Sequence, residues 1–151
     1  RFQLCKYSLT TWLTDNTTPE SRHLPKMKAI FKNIVSGVKH IHSKNFIHRD
    51  LKPCNILFDD DNRLKIADMG ILLERKIENG VETAVDHDGR GTTIYMSPEQ
   101  FSCFTELDSK SDVFTMGLIL AELCVAMDFC RKIEIFNNYR LGNQNDIFGD
   151  D

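Results

Sequence analysis

The chain has 151 residues, of which 41% are hydrophobic and 27% charged, with a formal net charge of -3. A polypeptide of this size folds as one domain burying about 70% of its unfolded surface, and its mixed, faintly acidic charge argues against a basic groove for nucleic acid or another polyanion. The five cysteines, Cys5, Cys54, Cys103, Cys124 and Cys130, make no CxxC pair and no zinc spacing with the histidines, which predicts free thiols in a reducing compartment and no disulfide framework.

The chain opens on Arg1 and not on a start methionine, with nothing resembling a signal peptide, as expected of an excised piece. Residues 8–13 predict a short helix capped by Ser8 or Thr10, followed by a polar loop over 14–23. Asn16-Thr17-Thr18 matches the glycosylation acceptor pattern, but the secretory context it needs is missing. After Pro25, apolar residues at Met27, Ile30, Phe31, Ile34, Val35, Val38 and Ile41 mark one face of a helix ending near 43–45. The period then changes to short strands. Residues 73–93 hold three glycines, many charges and no sustained periodicity, which predicts a long mobile loop of functional kind. Asp112 opens an almost wholly apolar helix to about Val125, with Gly117 inside it, and such a helix belongs at the centre of a lobe. The apolar run 116–127 is interrupted by Glu122 and too short to cross a hydrocarbon core of ~30 Å. A further helix is expected over 131–140, and 142–151 is polar without an obvious cap. No internal repeat or low-complexity tract is present.

Residues 56–58 and 64–66 are short apolar runs around Asp59-Asp60-Asp61-Asn62-Arg63, and a turn at Asp61-Asn62 uses residues that tolerate positive φ. The hairpin register expected from this turn sets Asn55 opposite Asp68. Two oxygen-bearing side chains at one open strand end suit a hard cation such as Mg²⁺, which takes a few protein oxygens plus substrate phosphates. The acidic turn does not fit a calcium loop, because the sixth position would be Arg63 or Leu64 and not glycine. Upstream, Asp50 is placed to orient a hydroxyl or accept its proton, and Lys52 to steady a phosphoryl group in transfer. Singly, each of these residues fits a solvated surface loop. Their ordered combination does not.

These residues resemble the protein kinase superfamily through His48-Arg49-Asp50, then Leu51-Lys52-Pro53-Cys54-Asn55, then Asp68-Met69-Gly70, and finally Ser97-Pro98-Glu99. The resemblance runs over essentially the whole chain. It implies a mainly α fold with short β-hairpins, the large C-terminal lobe of a kinase domain, spanning 1–151 without the small lobe and carrying an activation segment over 68–99. It implies ATP and Mg²⁺ as cofactors, Asp50 as base or hydroxyl-orienting residue, Lys52 at the γ-phosphate, and Asn55 and Asp68 on the metal. Gln3, Leu4 and Cys5 resemble the hinge that meets adenine, Leu57 the residue beneath that ring, and Asp112 the acid bracing the catalytic loop. Lys52-Pro53 is similar to the Ser/Thr class. "GTTIYMSPEQ" and "SDVFTMGLILAEL" narrow the similarity to the stress kinases of the alpha subunit of eukaryotic initiation factor 2, and "FQLCKYSLTTWL" to the members activated by unfolded protein or double-stranded RNA.

The same resemblance implies that Arg49 binds a phosphate on the activation loop, with Thr92 and Thr93 the acceptors and Thr83 a weaker one. It places Phe136, Tyr139 and Arg140 on the helix that docks the initiation factor, with structural packing the competing view, and allows a kinase dimer through the small lobe. The kinase domain is expected in the cytosol, with no nucleic acid or membrane segment of its own. Met69 stands where the family has phenylalanine, packed under His48; methionine's similar volume and adaptability predict a cost below about 1.5 kcal/mol. The 151 residues hold no GxGxxG loop and neither the lysine nor the helix glutamate that orient the α- and β-phosphates, because the chain begins at the hinge. Glu99 normally pairs with an arginine in a late helix; no candidate follows Arg140, so Glu99 is expected to lack that partner, and the isolated piece to be inactive and unstable. The alternative function is a non-catalytic truncated kinase or pseudokinase serving as an interaction module.

Overall fold

The computed structural model describes residues 5–78, 81–85, 93–102 and 106–143. A mainly helical body is decorated by three small antiparallel sheets. Strand β1 (Tyr7–Ser8) leads into α1 (Leu9–Asp15), whose first turn is capped by Ser8 Oγ accepting from the Thr11 N–H at 3.3 Å. The expected amphipathic helix is α2 (Leu24–Ser43), with Pro25 in its first turn and Ile30, Ile34, Val38 and Ile41 on its buried face.

Beyond β2 (Phe46–Ile47), strands β3 (Ile56–Phe58) and β4 (Leu64–Ile66) form the predicted hairpin. Its turn is fixed by Asp59, whose Oδ1 accepts from the N–H groups of Asp61 (3.1 Å) and Arg63 (2.8 Å), while Asn62 adopts φ +56°. The hairpin lies on α2 at Gly37, where an added Cβ would sit 2.7 Å from Ile66 Cδ1 and would have to push the end of that side chain aside.

Residues 73–93 are not wholly irregular. They supply β5 (Leu73–Glu74), which pairs with β2, then β6 (Lys76–Glu78) and β7 (Val81–Val85), which pair together, and β7 in turn pairs with β8 (Glu106–Leu107). Strands of two to five residues are too short to show a periodicity of their own, and β5 and β8 pair with partners more than 20 residues away.

Helix α3 (Pro98–Phe101) precedes the apolar α4 (Lys110–Cys124), which buries Met116, Leu118, Ile119 and Leu123 in the core shared with α1, α2 and β3. No helix among the described residues is long and apolar enough to cross a membrane. Helix α5 (Phe129–Leu141), expected over 131–140, starts at the Asp128 cap and ends at Gly142 in the left-handed region (φ +74°). Its Phe136 is fully buried and meets Tyr95 edge to face at 5.6 Å, so truncation to alanine would cost about 3–5 kcal/mol.

Candidate active site

The loop joining β2 to β3 is anchored from beneath by Asp112 in the first turn of α4. One carboxylate oxygen accepts from the His48 N–H (2.9 Å) and the His42 ring (2.7 Å), and the other from the Arg49 N–H (3.0 Å). Asp112 is 1% exposed, and a buried carboxylate is tolerated only when donors satisfy it. The clamp holds Arg49 in the left-handed region at φ +68°, a cost of order 1–3 kcal/mol accepted at sites whose surroundings fix them. His48 is fully buried; its Nδ1 accepts from the Asp50 N–H at 3.3 Å and its Nε2 donates to the Ala67 carbonyl at 3.0 Å, which selects the neutral imidazole. Gln100 of α3 donates to the Arg49 carbonyl at 3.0 Å, and Ser97 and Gln100 cap that helix reciprocally.

The loop presents three functional groups together. Lys52 Nζ lies 2.6 Å from Asp50 Oδ2, and Asn55 Nδ2 donates to both the Asp50 carbonyl (2.9 Å) and Oδ2 (3.2 Å). With its amide nitrogen so committed, Asn55 keeps Oδ1 for other donors, and the Cys54 thiol lies 3.7 Å from it. The hairpin register differs from expectation by one residue: Ile56 pairs with Ile66, and the Asn55 carbonyl accepts from the Ala67 N–H at 2.8 Å, so Ala67 and not Asp68 stands opposite Asn55. Asp68 follows immediately in the left-handed region (φ +62°), ahead of a 3-10 turn over Met69–Ile71. It is exposed, and no hydrogen bond or ion pair to its carboxylate occurs among the described residues. An amide oxygen and an unsatisfied carboxylate are hard donors that fit Mg²⁺ shared with phosphate and water. No cluster of three His, Cys, Asp or Glu side chains among the described residues would form an all-protein cage.

Met69 departs from its expected packing under His48. It is 45% exposed, because the left-handed Asp68 and the 3-10 turn carry it outward, and both His48 ring nitrogens are engaged by backbone. Arg49 is buried and its Nε donates to the Ile71 carbonyl at 2.6 Å, tying the catalytic loop to the segment after Asp68. Arg75 in that segment reaches back to the His42 carbonyl.

The remaining expected residues separate. Leu57 sits on β3 opposite Ser8, half-buried, and Cys5 lies at the entry to the same sheet, whereas Gln3 and Leu4 fall outside the described residues. Thr93 is exposed in a 3-10 turn, Thr83 lies on β7 opposite Lys76, and Thr92 is outside the described residues. Glu99, expected to lack its arginine, is not left without a partner: its Oε1 accepts from Ser111 Oγ at 2.6 Å.

On α5, Tyr139 alone of the three docking residues is well exposed. Phe136 has no free surface, and Arg140 is buried with its fork spent on the main chain: Nε donates to the Met96 carbonyl, Nη2 to those of Thr93 and Ile94, each at 2.9 Å. The guanidinium stacks 4.7 Å from the Phe101 ring, and desolvation lowers its pKa. These two residues pack because the end of the activation segment lies directly against α5.

His42, Gln100 and the buried Glu122 were not singled out by sequence reasoning. The Ser97-x-x-Gln100 capping pattern was a usable signal for one of them; the other two depend on tertiary contacts, across 70 residues of chain for His42–Asp112 and 27 for Tyr95–Glu122.

A family model described as "Protein kinase domain" matches residues 2–145. The chain is 41% identical, over 97% of its length, to the interferon-induced, double-stranded RNA-activated protein kinase of Rattus norvegicus. It is 34% identical over 93% of its length to the eukaryotic translation initiation factor 2-alpha kinase pek-1 of Caenorhabditis elegans, and 37% identical over 82% to eukaryotic translation initiation factor 2-alpha kinase 3 of Bos taurus. It spans 27%, 14% and 12% of those relatives. Among solved structures, the yeast RNA Pol II CTD kinase CTDK-1 complex superposes with a TM-score of 0.69 at 27% identity, covering 81% of this chain and 38% of that one. With the catalytic-loop geometry and the domain match in agreement, the chain belongs to the protein kinase family.

Proposed function

We propose that the protein containing this chain is a Ser/Thr kinase that moves the γ-phosphoryl group of ATP to a protein hydroxyl, with the alpha subunit of eukaryotic initiation factor 2 as substrate. The observation that carries the reading is the Asp50–Lys52–Asn55 triangle, in which base, cation and amide meet at one carboxylate oxygen. Asp50 is placed to take the proton of the attacking hydroxyl as its oxygen bonds to phosphorus and the bond to the ADP leaving group breaks. Lys52 steadies the equatorial oxygens in transfer. Asn55 Oδ1 and the Asp68 carboxylate are the groups that would hold Mg²⁺, which would supply positive charge against that of the phosphates. The choice of substrate is supported by the relatives that are themselves eukaryotic translation initiation factor 2-alpha kinases.

Regulation follows the same logic. Arg49 and Arg75 lie at the root of the activation segment, and a phosphate on Thr92 or Thr93 would add charge-assisted bonds there. The full-length protein is expected to phosphorylate the initiation-factor subunit, and Asp50→Asn to lower the rate by about 10²–10⁴. Thr92→Ala should depress the wild-type rate sharply. Nucleotide binding without phosphoryl transfer by the wild type would favour a non-catalytic interaction module instead.

A further inference from the structure

Beside the catalytic loop opens a cleft of about 440 Å³ bounded by Leu13 of α1, Pro53 of the catalytic loop, Tyr95 at the end of the activation segment, Glu122 of α4, and Met127 and Lys132 around the start of α5. Pro53 adjoins Lys52, and Tyr95 closes the segment on which an acceptor peptide would lie, so the cleft stands where a side chain flanking the acceptor hydroxyl would enter. Its charges are already engaged. Glu122 is buried, with Oε1 2.7 Å from Lys132 Nζ and Oε2 accepting from the Tyr95 hydroxyl at 2.7 Å. Arg22 spends its guanidinium on the carbonyls of Asn16, Glu122, Leu123 and Leu13. Asp128 caps α5 by accepting from the Arg131 N–H at 2.8 Å. Two cations and two anions line the cleft, each held by protein groups, while Leu13, Pro53 and Met127 give it an apolar wall.

Resting on the kinase reading, we infer that this cleft seats an uncharged side chain of the protein substrate, and that Lys132 is the specificity-determining residue, excluding arginine and lysine by occupying Glu122. The mechanism is exclusion: a cationic substrate residue would have to displace an ammonium already paired in a desolvated site. Removing that ammonium leaves the buried carboxylate bonded to the Tyr95 hydroxyl alone, with the nearby Arg22 guanidinium committed to main-chain carbonyls, a charge that recruits a guanidinium from outside.

The test uses the full-length protein with Lys132→Met and Lys132→Gln, one apolar and one polar so that a folding defect in either is separable, and the double variant Lys132→Met with Glu122→Gln. On a peptide library varied at each position around a serine, the wild type is expected to show no selection for arginine. Both single variants are expected to gain about tenfold selection at one position, equivalent to about 1.4 kcal/mol, and the double variant to lose it. A uniform change in rate at all positions, or arginine selection already in the wild type, overturns the inference. In parallel, argininamide alone is titrated against each form in thermal denaturation. Stabilisation of the single variants but not of the wild type or double variant supports the cleft assignment without any phosphoryl transfer, and no stabilisation of any form overturns it. Absence of peptide phosphorylation by every form together with that stabilisation pattern would sink the kinase reading while leaving the cation site standing.

Discussion

Along the loop from His48 to Asn55 the backbone and side chains find partners inside the protein, whereas the turn that follows at Met69–Ile71 is exposed and its leading carboxylate, Asp68, has none among the described residues. The two edges of one site are therefore built differently. The first is fixed before any ligand arrives, because its donors are satisfied by Asp112 and His48 at no later reorganisation cost. The second has unspent binding capacity and is available to be ordered by a metal ion, a phosphate or the rest of a longer protein. On the proposed function, the residues assigned to phosphoryl transfer and those assigned to metal binding and control would lie in different stretches separated by a single hairpin.

The largest expected effects break this comparison directly. Asp112→Ala should abolish phosphoryl transfer and lower unfolding free energy by about 3–5 kcal/mol, since it strands two buried N–H groups and removes the partner of His42. Asp68→Ala should abolish transfer as completely yet leave stability within about 0.5 kcal/mol, as for an exposed side chain without contacts. Denaturant titration of both variants beside the activity assay decides the matter. Equal destabilisation by the two would show that the Asp68 turn is as much a part of the fold as the loop.

Next in size is Arg140→Ala, which leaves the carbonyls of Thr93, Ile94 and Met96 without their donor. A loss of about 2–3 kcal/mol is expected, with faster hydrogen exchange in residues 93–100 and little change over 48–55. Exchange spreading into the catalytic loop would mean that the two regions are coupled through Gln100 more tightly than their separate anchors suggest.

How much of this was legible beforehand depends on the range of the interactions. The helices α2 and α4 and the hairpin were readable because their signals are local: a 3.6-residue period, an apolar run, an Asp-Asn turn. The grouping of Asp50, Lys52 and Asn55 was readable because their types and spacing place them on one short loop. Register was not, since the exact pairing of Asn55 with Ala67 depends on how Asp59 folds the turn, and a shift of one residue is invisible to composition. Nor was the burial of Phe136 and Arg140, because an amphipathic helix shows its apolar face without saying what lies against it. Met69 failed for a similar reason: the left-handed Asp68 before it changes its direction while its type stays apolar.

A smaller effect sharpens the Met69 side of the contrast. Because Met69 is exposed here, Met69→Phe should alter stability by less than about 0.5 kcal/mol. A gain beyond about 1.5 kcal/mol, measured by denaturant titration, would reveal a packed site for this side chain that the turn does not form.

The last effect is one of pH dependence and concerns Tyr95, which lies against the fixed core. It is buried, and desolvation first, then the Glu122 charge and hydrogen bond, raise its pKa far above the ordinary tyrosine value of about 10. The folded chain keeps this proton where the unfolded chain sheds it. Its contribution is therefore fully present below pH about 10 and is lost as the pH rises above that, at up to about 1.4 kcal/mol per pH unit for one proton. Tyr95→Phe loses the bond to Glu122, about 1–2 kcal/mol at neutral pH, but also loses this alkaline liability. Lys132 and every other titrating group are common to both proteins, so the stability gap between wild type and Tyr95→Phe should narrow steadily above pH 10. Parallel stability curves through that range would mean that Tyr95 ionises in the folded state, and that the segment's end is no better fixed than the turn at Asp68.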